Sequence, residues 1–205
     1  GIDHAVLNVA AGDLSTAIAW YENAFGFRRQ QGFTIQTAYS GLSSQVLVHP
    51  QGHAQLPINE PISPSSQIQE FLDCNRGPGI QHVALKTDNS LRAIADLRQR
   101  GLRFLPVPPT YYGQLRQRAD FWLSELQWQA IAAQQLLIDW QPHSQALLLQ
   151  AFTQPIFAIP TFFFELIERR PCQLTQNPAQ GFGEGNFRAL FEAVEREQRK
   201  RTQPR

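Results

Sequence analysis

Two histidines and a glutamate stand out by type and setting. His4 lies in Ile2-Asp3-His4-Ala5-Val6-Leu7 and His82 in Ile80-Gln81-His82-Val83-Ala84-Leu85. Both segments alternate apolar residues and are rich in β-branched ones, the pattern of strands. Glu165 lies in Thr161-Phe162-Phe163-Phe164-Glu165-Leu166-Ile167, where its period-two face-mates are Phe163 and Ile167. A carboxylate among such neighbours is costly to bury without a partner. Each residue also has an ordinary reading: a strand histidine as a satisfied core residue, Glu165 as an edge residue facing water. Together, two imidazoles and one carboxylate form a facial donor set that leaves coordination positions open and favours non-heme Fe(II) with oxygen chemistry. Hydrolytic zinc uses the same donors, and spacing alone does not separate the two metals.

The elements that must position these residues come from an internal repeat. The His4 segment recurs 78 residues later as the His82 segment. Each copy is followed by an amphipathic helix: Leu14, Ala17, Ile18 and Tyr21 before Gly26, then Leu91, Ile94 and Ala95 before Gly101. Those spacings set the apolar residues on one helical face, with glycine as the exit. Further strands are expected over 35–39 and 44–49 in the first copy, and over 146–152 and 161–167 in the second. The unit is therefore β-α-β-β-β used twice, which would place His4 and His82 on facing strands aimed into one space. Residues 57–66 read as a proline- and serine-rich loop ending the first unit, and 113–137 as a Gln-rich helical insertion. Phe187, Leu190, Phe191 and Val194 predict a tail helix over 187–200 with one buried face.

Composition excludes several classes. The chain has 205 residues, 42% hydrophobic and 17% charged, a globular balance. Eighteen Lys+Arg against 17 Asp+Glu leave a net charge of +1, so no polyanion partner is implied. The charged run over 195–201 reads as a solvated helix end, with no nucleic-acid role expected. No apolar run approaches the roughly 18–20 residues of a membrane span, and no signal peptide opens the chain. Cys74 and Cys172 look like incidental thiols of a reducing compartment, so a cytoplasmic protein is expected. No Met occurs and residue 1 is Gly, so this is expected to be a piece of a longer protein.

A resemblance then enters. The chain is similar to the C-terminal catalytic domain of the 4-hydroxyphenylpyruvate dioxygenases, of the vicinal-oxygen-chelate superfamily. The residues that carry it are Pro57-Ile58-Asn59-Glu60-Pro61, Ser66-Gln67-Ile68-Gln69, Gly77-Pro78-Gly79-Ile80-Gln81-His82 and Pro109-Thr110-Tyr111-Tyr112. They continue with Leu149-Gln150-Ala151-Phe152-Thr153, Phe163-Phe164-Glu165-Leu166-Ile167 and Gly181-Phe182-Gly183-Glu184-Gly185-Asn186-Phe187. The resemblance implies an α+β fold of two tandem βαβββ modules, glyoxalase-like, forming a half-open barrel with a C-terminal lid helix. The modules would span about 1–64 and 78–168 and the lid about 180–200, in one catalytic domain over 1–205. A non-catalytic N-terminal domain would precede it.

It also implies Fe(II) held by His4, His82 and Glu165, with Gln150, Gln81 and Phe187 as catalytic residues. Ser44, Asn59, Gln67, Phe152, Phe163, Phe182, Asn186 and Phe191 would bind substrate. The implied reaction converts 4-hydroxyphenylpyruvate and O₂ to homogentisate and CO₂ by oxidative decarboxylation, ring hydroxylation and side-chain migration, a step of tyrosine catabolism. Gln150 and Gln81 would orient the ligand, and the helix bearing Phe187 would exclude water. A homo-oligomer is expected. Three features depart from the family pattern: Glu184 where a Lys is usual, Leu7 where a Gly is common, and the segment 139–143. Two alternatives stay open: hydroxymandelate synthase, which sends the oxygen to the benzylic carbon, and a metal-free module of the same fold that sequesters small aromatics.

Overall fold

The computed structural model describes residues 1–37, 40–52, 54–140, 145–172, 174–179, 181, 182 and 186. They form an α+β fold that runs through the order β-α-β-β-β twice, with extra helices, in two compact units. The first unit comprises Gly1–Leu85 with Pro155–Phe164; the second holds Lys86–Gln154 with the described residues from Glu165 onward.

In the first unit, β1 (Ile2–Asn8), α1 (Leu14–Phe25), β2 (Arg28–Gln36), β3 (Gly41–Val48) and β4 (Gln55–Pro61) are followed by α2 (Gln67–Asn75) and β5 (Gly79–Lys86). The strands lie in the order β2-β3-β4-β1-β5. Leu14, Ala17 and Tyr21 of α1 pack on a cluster of Val9, Ile18, Leu47, Leu56 and Ile58. This helix ends where the sequence places its glycine: Gly26 takes φ 71, and its N–H donates to the Glu22 carbonyl at 3.1 Å.

Two expectations need correction here. The stretch 57–66 is not all loop, because Gln55–Pro61 is β4, between β1 and β3. Its prolines argue against an interior strand, and the register explains their tolerance. The Asn59 carbonyl accepts from Val9 N–H, so odd positions of β4 turn their backbone groups toward β1. That ladder covers only Ile58 and Asn59, whereas β3 pairs along the whole strand. Pro57 and Pro61 thus remove N–H groups outside the β1 ladder. The second correction concerns β2, which begins at Arg28 and not at residue 35. It ends the strand order, and its polar first half carries no apolar alternation by which to detect it. The helix α2 went unpredicted, although the Ser66 side chain caps it by accepting from Ile68 N–H at 3.2 Å.

The second unit contains α3 (Ser90–Gln99), α4 (Pro109–Arg116), α5 (Glu125–Ala133), β6 (Leu137–Asp139), β7 (Leu147–Phe152) and, from Glu165 onward, β8 (Phe163–Arg170), with strand order β8-β7-β6. The expected insertion is the end of α4 and all of α5, the latter opened by a Ser124/Gln127 capping box. Its core gathers Ile94, Trp128, Ile131, Leu136, Leu149 and Leu166. β8 extends three residues beyond the expected strand end because its charged end has partners: buried Glu168 accepts from Ser90 N–H at 2.8 Å and Ser90 Oγ at 2.6 Å.

Candidate metal centre

The pairing of β1 with β5 brings the two histidines together. His4, Val6 and Asn8 alternate onto one face of β1, and Val6 is the register partner of His82. The rings meet edge to face with centroids 5.8 Å apart. The register slips by one residue twice. Between Ile2 and His4, β1 carries Asp3 as the extra residue; between His82 and Ile80, β5 carries Gln81. In a regular strand the residue before each histidine would face the other way, and an extra residue re-aims it. Both neighbours turn onto the rings: Asp3 Oδ1 lies 2.9 Å from His4 Nδ1, and Gln81 Oε1 lies 3.1 Å from His82 Nδ1. A carboxylate and an amide oxygen only accept, so each Nδ1 carries the proton and Nε2 keeps a lone pair available to a metal.

β8 supplies the third donor. The Phe163 ring stacks on His82 at 4.8 Å and 21°. The boundary between the two units falls inside this strand, after Phe164, and the strand runs unbroken. Glu165 follows Phe163 by two residues and shares its face. One ligand atom from each of His4, His82 and Glu165 lies within 4.8 Å of the other two. The residues are 3%, 3% and 1% exposed, too buried for a solvated carboxylate and two surface imidazoles. Glu165 Oε1 accepts from Gln150 Nε2 at 2.9 Å, so it too has an orienting partner. A buried set of two imidazoles and one carboxylate, each held by a neighbour, suits a transition metal with open coordination positions.

The other expected residues fall as follows. In the first unit Ser44, Asn59 and Asn8 are successive register partners across β3, β4 and β1. Asn59 Nδ2 donates to Asn8 Oδ1 at 3.3 Å, while the buried Ser44 Oγ and Asn8 Nδ2 find no partner among the described residues. The row thus keeps hydrogen-bonding capacity on the histidine face. Asn8 was absent from the sequence-predicted set; its one available signal is its place four residues after His4 in the same strand. Gln67 is buried in the first turn of α2. In the second unit Phe152 is the register partner of Glu165, and Phe182 and Asn186 are buried. Gln150 Nε2 also donates to the Phe182 carbonyl at 3.1 Å, and Gln150 Oε1 accepts from Asn186 Nδ2 at 2.8 Å. Phe187, Phe191 and Glu184 lie outside the described residues. Cys74 and Cys172 are free thiols, and among the described residues no helix is long and apolar enough to cross a membrane.

The fold and donor set define a class, and comparison with known proteins agrees. Residues 1–123 match the Glyoxalase/Bleomycin resistance protein/Dioxygenase superfamily, and the chain belongs to it. It is 46% identical over 195 residues to the uncharacterized protein slr0090 of Synechocystis sp., covering 95% of this chain and 56% of that protein. It is 42% identical over 207 residues to 4-hydroxyphenylpyruvate dioxygenase of Dictyostelium discoideum, covering 98% and 54%. Among solved structures, a mutant of 4-hydroxymandelate synthase from Streptomyces coelicolor superposes with a TM-score of 0.83 at 30% identity, covering 96% of this chain and 54% of that one. The chain spans about half the length of these relatives.

Proposed function

We propose that the chain is the catalytic portion of an Fe(II)-dependent dioxygenase that converts 4-hydroxyphenylpyruvate and O₂ to homogentisate and CO₂. The observation that carries this reading is the buried convergence of His4, His82 and Glu165. The fixed tautomers favour it, since both rings offer Nε2. Three protein donors would leave further coordination positions open to a 2-oxo acid and to O₂. Bound Fe(II) would supply the activation of dioxygen and the anchor for the 2-oxo acid. The chain's own residues do the positioning. Gln81 and Gln150 hold His82 and Glu165 in orientation. Ser44 Oγ and Asn8 Nδ2, which find no partner among the described residues, offer donors to a polar substrate group, with Asn59 beside them and Gln67 assigned to the same polar lining. Phe152, Phe163 and Phe182 provide aromatic surface for a phenyl ring. Asn186 fixes the Gln150 amide.

The competing product is 4-hydroxymandelate, favoured by the structural likeness to the synthase. Phe152, the register partner of Glu165, and the closer identity to the dioxygenases support ring attack. Anaerobic loading with Fe(II), followed by substrate and oxygen, tests the reading through oxygen uptake with NMR of the product. Homogentisate supports it; oxygen uptake without homogentisate refutes it.

A further inference from the structure

The Gln150 amide is the end of a longer chain of hydrogen bonds that starts at an edge strand. Both Nε2 hydrogens of Gln150 are committed, to Glu165 Oε1 at 2.9 Å and the Phe182 carbonyl at 3.1 Å, so Oε1 must accept. It accepts from Asn186 Nδ2 at 2.8 Å, which turns Asn186 Oδ1 the other way, 2.7 Å from the Tyr111 hydroxyl. An amide oxygen cannot donate, so the phenol does. The phenol oxygen accepts in turn from Ile138 N–H at 2.8 Å, on the outer edge of β6. The Ile138 carbonyl, 3.0 Å away, competes for the same phenol hydrogen. Donation there would set two oxygen lone pairs 2.7 Å apart at Asn186, so the Asn186 bond wins. Every donor in the series then points one way, from Ile138 through Tyr111, Asn186 and Gln150 to Glu165, and successive bonds polarise one another.

We propose that Tyr111 is a positioning residue for the metal-binding carboxylate: its hydroxyl fixes the side-chain amides of Asn186 and Gln150 and, through them, the orientation of Glu165. This rests on the reading of Glu165 as a metal ligand. Burial raises the Tyr111 phenol far above its ordinary pKa, so it stays a neutral donor at every working pH. The adjacent Tyr112 supplies a control. Its hydroxyl, on the same helix and in the same core, donates to the Leu136 carbonyl at 2.9 Å and not to Asn186.

The experiment is an anaerobic Fe(II) titration of the wild-type chain, Tyr111→Phe, Tyr112→Phe, Gln150→Leu and Tyr111→Phe/Gln150→Leu, with apoprotein melting alongside. Direct orienting partners of ligands are worth about 10- to 100-fold in metal affinity; two amides further out, a loss of about 3- to 10-fold is expected for Tyr111→Phe. Tyr112→Phe should melt lower yet bind Fe(II) as the wild type does. In the Gln150→Leu background, Tyr111→Phe should add nothing. Equal affinities for the two tyrosine variants, or a full Tyr111 effect without Gln150, would overturn the proposal while leaving the metal site standing. A wild-type chain that does not bind Fe(II) removes the metal reading itself and the proposal with it. Should Tyr111→Phe not fold, Asn186→Ala breaks the chain one link nearer the site, and unchanged Fe(II) affinity in that variant overturns the proposal.

Discussion

Asp3 and Gln81 illustrate how much of this candidate centre would depend on residues outside the donor cluster itself. Each is the extra residue of a slipped register, and each accepts from the Nδ1–H of the histidine that follows. Asp3 is the stronger orienter because its acceptor is charged and buried. Asp3→Asn keeps an acceptor oxygen but removes the charge, so Fe(II) affinity should fall about 10-fold. His4→Ala and Glu165→Ala should each abolish Fe(II) binding by anaerobic titration. The same titration in the wild type and both alanine variants would show that the cluster contributes no Fe(II) binding, and would instead support a module of this fold that works without a metal there. The clustering of His4, His82 and Glu165 was legible in the sequence because their types are out of place in apolar strands. Asp3 was not, since only the slipped pairing turns it onto the ring. Asn8 was not either, because an amide at a strand end carries no signal until the register with Asn59 is known.

At the scale of elements, the repeat was legible where the alternation is clean, as in β1 and β5, or where a short apolar run is buried on both faces, as in β7. It failed where another rule prevailed. β4 was hidden by prolines whose missing N–H groups cost nothing outside the short β1 ladder. The first half of β2 was hidden by exposure, and α2 by its shortness. The helix end at Gly26 was read correctly, and its left-handed conformation gives a stability prediction. Gly26→Ala should cost about 1 kcal/mol, lowering Tm by about 2–4 °C in a chain of this size. The segment between α4 and α5 gives a second. Asp120 accepts from Arg118 Nε at 3.0 Å and Nη2 at 2.9 Å, and from Trp140 Nε1 at 2.9 Å, while the guanidinium lies 4.0 Å over the Trp140 ring. The Arg118 hydrogen bonds hold the Asp120 carboxyl below its ordinary range. A depressed carboxyl contributes stability that is complete above the unfolded value, near about 4, and is lost as pH falls through the folded value. The Tm gap between wild type and Asp120→Asn should therefore be constant near neutrality and close as pH drops below about 4. A gap that persists in acid would mean that packing, and not charge, holds this segment.

For the whole molecule, what must be decided is where the second oxygen atom goes. The chain spans about half the length of relatives that include both 4-hydroxyphenylpyruvate dioxygenases and a 4-hydroxymandelate synthase mutant. Both reactions consume one O₂, release one CO₂ and need the same three donors, so the donor set cannot choose between them. The choice belongs to the groups that fix the ring relative to the metal. On the proposed reading, those on β7 and β8 would be Phe152 and Phe163: Phe152 is paired with Glu165, and Phe163 is stacked on His82. Two aromatic faces beside the donors favour holding the phenyl ring against the site of oxygen transfer, which leads to ring hydroxylation and side-chain migration. The expected product is homogentisate, with an isolated methylene and a trisubstituted ring by NMR. A benzylic methine with an intact para-substituted ring would assign the chain to the synthase branch. In that case Phe152→Ala and Phe163→Ala should alter turnover without altering the product, whereas on the dioxygenase reading loosening either ring contact should raise the share of benzylic product.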